Sequence, residues 1–321
     1  MRIDEEEFEE AAYLAANSDV DAAVKAGVFS SGFKHFQRHG RREGRRLRVP
    51  PTRRDKLLAA LDVGRMRGLE IGPLMTPLVH KHEGDIVYVD HADTETLRAK
   101  YACDPGVDLS LIVPVDHVWG AQTLADCLEG QTVDYVLNSH VIEHVPDVVT
   151  WLSEIHSVLK PGGFLRMAIP DRRYTFDILR TESTVVDALD AHLRRARIPL
   201  PRAILDHFAH YAEVSAPAVW DGQADETTVT RAHSLAFALE AAERSFTTGS
   251  YQDTHCWVFT PLSFARLCAA LARLDKLAFS CERIYPTPRH AIEFIAALRP
   301  CTDRAERIES WDVAVRQLSE A

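Results

Sequence analysis

Between residues 67 and 170 short apolar runs alternate with amphipathic stretches, and this alternation constrains the fold more than any other feature of the chain. RGLEIG ends in glycine and proline; IVYVD follows at Ile86 to Asp90, then LSLIVPVD ending at Asp116, and VDYVLN at Val133 to Asn138. Helix-like segments, DTETLRAKY and TLADCLEG, lie between them. Such a pattern predicts a parallel sheet built from βαβ units. Asp147 is placed to cap a helix whose apolar residues Val148, Leu152, Ile155 and Leu159 recur at helical spacing, and Lys160-Pro161-Gly162-Gly163 ends it. GFLRMAIP follows as a fifth strand. The alternation then stops over residues 171–259 and resumes at Thr260-Pro261, a cap with proline in the first helical turn. LAFSCERIYP and RHAIEFIAAL, joined by a short turn-rich link, suit an antiparallel pair.

Composition narrows the function classes. A chain of 321 residues with 46% hydrophobic and 26% charged residues has ample material for a core and is neither disordered nor fibrous. No run approaches the length of a membrane span. The acidic start MRIDEEEFEE lacks the basic and apolar regions of a secretory signal, and six cysteines without a CxxC pair fit reduced thiols, so a cytosolic location is expected. The net charge of −10 is uneven: residues 1–33 carry −6, residues 34–54 carry +8 and the remainder −12. An acidic body argues against a nucleic-acid partner. The basic stretch KHFQRHGRREGRRLRVPPTRR has few aromatics and reads as a solvated tether or docking surface.

In an open parallel sheet, ligands bind beyond the carboxyl ends of the strands. Those ends carry Glu70-Ile71-Gly72-Pro73, Asp90, Asp116, Asn138 to His144, and Pro170-Asp171. LEIGP, the acid of IVYVDHAD, DYVLNSHVIEHVPD and VLKPGGFLRMAIPD, in that order, resemble a class I S-adenosylmethionine-dependent methyltransferase of the ubiquinone and menaquinone biosynthesis group. The motifs span about residues 52–171. The resemblance implies a Rossmann-like α/β fold of seven strands, with residues 51–321 as the catalytic domain and 171–259 as a lid-like, substrate-binding insertion after the fifth strand. It implies that Gly72 and Pro73 form the cofactor turn, organised by Glu70. Asp90 would accept from the ribose hydroxyls and Asp116 would meet the adenine amino group, with His91 and His117 beside them. Asn138, Ser139 and His140 would line the methyl-transfer side, and Glu143 and His144 the mouth of the acceptor pocket.

The turn departs from the family pattern, because bulky Leu74 and Met75 replace small residues. It should therefore lie differently and meet the cofactor by side chain. A dinucleotide-binding reading wants GxGxxG, which is absent. His140 to His144 also spells HxxEH, an inverted zinc-protease signature, but the segment follows a strand and runs into Pro146, so no metal is assigned. For a hydroxyl acceptor a base must remove a proton. The candidates are His140, His144, His255 and Asp171, with His207 and His210 behind them. Asp206, His207, His210 and Glu213 permit a magnesium site by spacing, against the default of a solvated helix face. Arg172 and Arg173 are candidates for a phosphate or carboxylate.

Residues 1–50 read as two short helices and a basic linker. Tyr13-Leu14, Asn17-Ser18-Asp19-Val20, Gly27, Ser31-Gly32, His35-Phe36, Gly40 and Glu43-Gly44-Arg45 resemble a small module attached to bacterial glycosyltransferases and surface-polysaccharide enzymes. That resemblance tilts the acceptor towards a sugar or glycan hydroxyl, with a glycan-assembly protein as a partner through residues 1–50. The alternatives are a small-molecule acceptor methylated at nitrogen or carbon, and a non-catalytic scaffold that keeps the cofactor fold.

Overall fold

A computed structural model describes residues 5–320, which divide into two compact units on either side of the step from Asp55 to Lys56. In the first, helices α1 (Glu10–Ala16), α2 (Ser18–Lys25), α3 (Gly32–His35) and α4 (Arg41–Glu43) close around Tyr13, Val20 and Phe36. The Glu10 carboxylate accepts from the amides of Gly32 and Phe33, and the Tyr13 hydroxyl meets His35 Nδ1 at 2.9 Å. The basic stretch is therefore only partly a tether. His35, Phe36 and Gly40 are buried, because a π-helical turn at Phe36–Gly40 continues α3 and directs them into this small core, while Arg41 and Arg42 are exposed. A short helix, α5 (Arg53–Leu57), follows.

The second unit is built on a seven-stranded sheet. In chain order its elements are β1 (Arg67–Ile71), β2 (Asp85–Asp90), α6 (Thr94–Lys100), β3 (His117–Val118), α7 (Leu124–Cys127), β4 (Val133–Ser139), α8 (Val148–Val158) and β5 (Leu159–Pro170). An inserted region then holds α9 (Val185–Leu193), α10 (Pro201–His210), α11 (Ala216–Trp220), α12 (Leu235–Thr248) and a two-stranded ribbon of β6 (Ala212–Glu213) and β7 (Thr230–Arg231). α13 (Pro261–Arg273), β8 (Phe279–Tyr285), β9 (Glu293–Pro300) and α14 (Arg304–Ser319) complete it. The strand order is β3-β2-β1-β4-β5-β9-β8, parallel through β5 and antiparallel at β9 and β8. This is the mixed α/β sheet that the alternation predicts and the seven-stranded, Rossmann-like one that the resemblance implies.

Side-chain alternation assigns the two faces. Leu69, Ile71, Val136, Leu165, Met167 and Phe294 enter the larger core, whereas Tyr88, Tyr135, Leu137, Phe164 and Ile295 enter the smaller one. Asp147 caps α8 through the Thr150 amide, and Thr260 caps α13 in a reciprocal box with Ser263. Trp311 of α14, fully buried, donates to the Phe279 carbonyl.

Two expectations change. The third strand is not LSLIVPVD: residues 109–111 form a 3-10 turn, and β3 is His117–Val118 alone. Pro114 has no N–H for a ladder, and the amides on either side of it go to Leu74 O and to the Thr94 hydroxyl. In addition, β5 starts at Leu159, directly after α8, with its ladder to β4 broken between Leu159 and Phe164.

Gly40 lies where a Cβ would come within 2.3 Å of the Tyr13 hydroxyl. Gly40→Ala is expected to cost the first unit about 1–3 kcal/mol through overpacking. Hydrogen exchange checks this: amides of residues 10–43 should exchange faster while those of the sheet are unchanged.

Candidate functional site

The register brings Gly72, Asp90 and Ser139 to one level at the carboxyl edge of β1, β2 and β4. Ile71 pairs with Val89 and with Asn138, and the Gly72 amide donates to Val89 O. Gly72 has φ +68°, and a Cβ there would lie 2.8 Å from Val141 Cγ2, so glycine is required by both backbone and space. No helix separates β1 from β2. The loop instead is held by Glu70, a buried carboxylate that accepts from the Leu78 amide at 2.7 Å and the Val79 amide at 3.3 Å. Leu74 adopts φ +44°, an uncommon conformation for a branched side chain, and Pro73 is buried behind the turn. Glu70 thus shapes the turn through backbone.

Asp90 is buried at the end of β2. Its Oδ1 takes both the amide and the Nδ1 of His91, at 2.7 and 2.6 Å, and Oδ2 has no protein partner among the described residues. Asp116 is displaced from its expected place. It precedes β3, level with Tyr88, and its carboxylate accepts from the Tyr88 amide and from Lys81 Nζ. The adenine role expected of Asp116 therefore does not suit it, and His117 and Trp119, whose amide donates to Asp90 O, stand nearer the edge.

Asn138 is fully buried, and neither its amide nitrogen nor its oxygen has a hydrogen-bond partner. Each such atom costs about 1–3 kcal/mol if left unpaired. Beyond it the chain turns sharply: His140 has φ +55°, with its amide bonded to Ala168 O. His140 Nε2 meets Glu293 Oε2 at 2.8 Å, and Nδ1 lies 3.7 Å from Glu143 Oε1. Ser139 ends β4 and Glu293 begins β9, the two strands that flank β5.

Two further histidines also face carboxylates. His144 Nδ1 is 2.9 Å from Asp253 Oδ1, an ion-pair contact rather than an aligned hydrogen bond. Burial lowers the His144 pKa, but Asp253 and then Glu143 outweigh it, and the net shift is upward. Packing around Asp253 disfavours its charge, yet His144 and Lys100 hold it well below the carboxylate range. His255 Nδ1 is 2.5 Å from Asp177 Oδ2. Burial likewise opposes the Asp177 charge, and His255 and Arg180 overcome it, keeping its pKa depressed. The His144 and His255 rings meet edge to face, centroids 4.7 Å apart. Sequence reasoning missed Glu293, Asp253 and Asp177, because no local motif surrounds them.

Asp171 cannot serve as the expected base. It is fully buried, with both oxygens engaged by Arg173 and by the Thr287 hydroxyl at 2.6 Å. That contact also occupies Arg173, while Arg172 donates to Ile178 O and Glu226, so neither arginine is poised for an external anion. The group around Asp206 is divided. Asp206 binds Arg180 and His210, whereas His207 turns inward, where burial, then Arg180 and His255, push its pKa down to about 3. A cavity of about 680 Å³ beside Arg172, Glu182 and Arg266 is lined by none of the carboxyl-edge residues.

The sheet order and the edge define the class first: an α/β domain with an open, mostly parallel sheet whose carboxyl edge bears glycine, aspartate and a buried amide. Within it, residues 61–167, a third of the chain, match the family described as a methyltransferase domain. A ubiquinone biosynthesis O-methyltransferase from Brucella anthropi is 30% identical over 116 residues, covering 36% of this chain and 42% of that protein. The chain thus aligns with less than half the length of this curated relative. Among solved structures, a Rhodobacter sphaeroides protein described with the Zn-dependent alcohol dehydrogenases is 15% identical, covering 78% of this chain and 91% of its own, at a TM-score of 0.43. An S-adenosylmethionine dependent methyltransferase from Mesorhizobium loti is 13% identical, covering 76% and 95%, at 0.37. The CcbJ methyltransferase from Streptomyces caelestis is 10% identical, covering 79% and 97%, at 0.39. These structural likenesses are remote.

Because Asn138 has no partner, Asn138→Leu should raise the stability of the ligand-free chain by about 0.5–2 kcal/mol. Denaturant titration checks the sign, and a loss of stability would mean that the amide is already satisfied.

Proposed function

We propose that the chain is an S-adenosylmethionine-dependent methyltransferase acting on a hydroxyl. The observation that carries this is the edge formed by Gly72, Asp90 and Asn138: a turn that excludes a side chain, a buried acid with an open oxygen, and a buried amide without a partner. These features fit the cofactor. Asp90 would hold the ribose hydroxyls, the Gly72 turn would admit close approach, and Asn138 would meet polar atoms of the amino-acid portion. When bound, S-adenosylmethionine supplies a methyl group on a sulfonium, whose leaving group is already good.

The chain's own task is then to align the acceptor and move one proton. His140 is the base we assign, because Glu293 fixes its Nε2 and leaves Nδ1 for the acceptor hydroxyl. The insertion shields the site from water and selects the acceptor. Oxygen as the acceptor atom is supported by the name of the Brucella anthropi relative, an O-methyltransferase. A sugar or glycan hydroxyl is supported by the resemblance of residues 13–45, and a cytosolic setting by six cysteines without a CxxC pair. That module, with Arg41 and Arg42 exposed, is the segment we assign to a partner in glycan assembly.

The demethylated product should raise the melting temperature of the wild-type chain. Asp90→Ala should weaken its binding roughly 10- to 100-fold, the loss of hydrogen bonds to a charged group. No thermal shift in the wild type and no effect of Asp90→Ala would sink the assignment. A mass-spectrometric screen of activated sugars for the gain of one methylene identifies the acceptor. With that acceptor, His140→Gln should lower kcat by about 10²- to 10⁴-fold and flatten the pH–rate profile. An unchanged rate would remove His140 as the base.

A further inference from the structure

Glu143 is 1% exposed, and neither carboxylate oxygen has a hydrogen-bond partner. His140 Nδ1 and His144 Nε2 approach Oε1 only to 3.7 and 4.0 Å. A buried carboxylate in this condition lacks the partner that would hold its charge. Beside it stand two histidines, its chain neighbour His144 and the distant His255, each with its Nδ1 against a carboxylate: His144 on Asp253 and His255 on Asp177. Those contacts leave Nε2 of each ring for another ligand. One donor atom each from Glu143, His144 and His255 lie within 4.8 Å of one another.

We propose that Glu143, His144 and His255 bind one zinc ion, with Asp177 and Asp253 orienting the two imidazoles. Two histidines and one carboxylate with an open fourth position suit zinc, whereas magnesium takes oxygen ligands almost throughout. The carboxylate on the far nitrogen of each histidine is the usual outer support of such a site. Bonds of about 2.0–2.2 Å to a tetrahedral ion set donor atoms roughly 3.4 Å apart, so from separations within 4.8 Å the three close by up to about 1.4 Å on binding. His144, half-buried, gives the ion a way in. The Cys256 thiol is engaged with His144 O and is not one of the three converging donors.

The motif HxxEH therefore belongs to a metal site of a different construction from the helical one its letters suggest. His140 turns to Glu293, and the third ligand comes from the end of the insertion. An ion with an open position next to His140 would lower the pKa of a coordinated acceptor hydroxyl. That role rests on the methyltransferase reading; binding of the ion does not.

The test uses the untagged full chain, stripped by chelator and dialysed against zinc, with bound metal measured by plasma mass spectrometry. Wild type should retain one zinc per chain. Glu143→Gln and His255→Ala should each weaken retention by on the order of 100-fold, and Asp177→Asn by about 10- to 100-fold. Cys256→Ser should change nothing. Cobalt(II) substituted into the wild type should give the visible spectrum of a four- or five-coordinate nitrogen and oxygen site, which needs no variant to fold. Wild-type retention no greater than that of the Glu143→Gln, His255→Ala double variant overturns the proposal, as does a six-coordinate cobalt spectrum. The thermal response to the demethylated cofactor, measured on the same samples, separates the two readings: zinc bound without that response fails the methyltransferase assignment alone, and the reverse fails the zinc site alone.

Discussion

The carbonyl of Glu143 accepts two backbone amides, from Cys256 at 2.6 Å and Trp257 at 3.1 Å, and the Trp257 indole donates to Val145 O at 2.6 Å. This junction joins the turn after β4 to the end of the insertion. Buried N–H and carbonyl groups must be paired, so the two segments are held in one arrangement. The histidine contacts beside Glu143 follow from it: His255 stands against His144, Asp253 reaches His144, and Asp177 reaches His255.

The site has two halves with different physical origins. At the carboxyl edge of β1, β2 and β4, placement comes from parallel register, which puts Gly72, Asp90 and Ser139 at one level whatever the loops do. Around β4 and the insertion, placement comes from ion pairs and aromatic contacts between residues far apart in sequence, such as Asp177 with His255 and His140 with Glu293. The first half is the carboxyl edge of an open parallel sheet, the place where such sheets generally bind ligands. The second half is made from the part of the chain that lies outside the repeating βαβ pattern.

Several residues with the right chemistry are spent on structure. Asp171 closes a bond with Thr287 and Arg173, Asp116 supports Tyr88 and Lys81, and Glu70 latches the loop between β1 and β2. A carboxylate at a strand end is therefore a weak indicator by itself. What separates the functional candidates is unsatisfied capacity: an open oxygen on Asp90, an unpaired amide on Asn138, an unpaired carboxylate on Glu143.

The sheet and most of its strands were legible in the amino-acid sequence, because burial on both faces forces continuous apolar runs and helix caps leave local signatures, as at Asp147 and Thr260. The glycine at position 72 and the acid at position 90 were legible for the same reason: a turn and a strand end have fixed places in the pattern. The third strand and α14 were not, since Pro114 diverts the apolar run from the ladder and the helix from Arg304 has few periodic apolar residues besides Trp311. The packing of His35 and Phe36 was hidden within a run of basic charge. The histidine and carboxylate pairs were hidden too, because contacts such as that of His140 with Glu293, 153 positions apart, leave no local periodicity. Local pattern determines which segments become strands and helices; only the tertiary structure decides which distant charges share a buried space, since that depends on where the insertion returns.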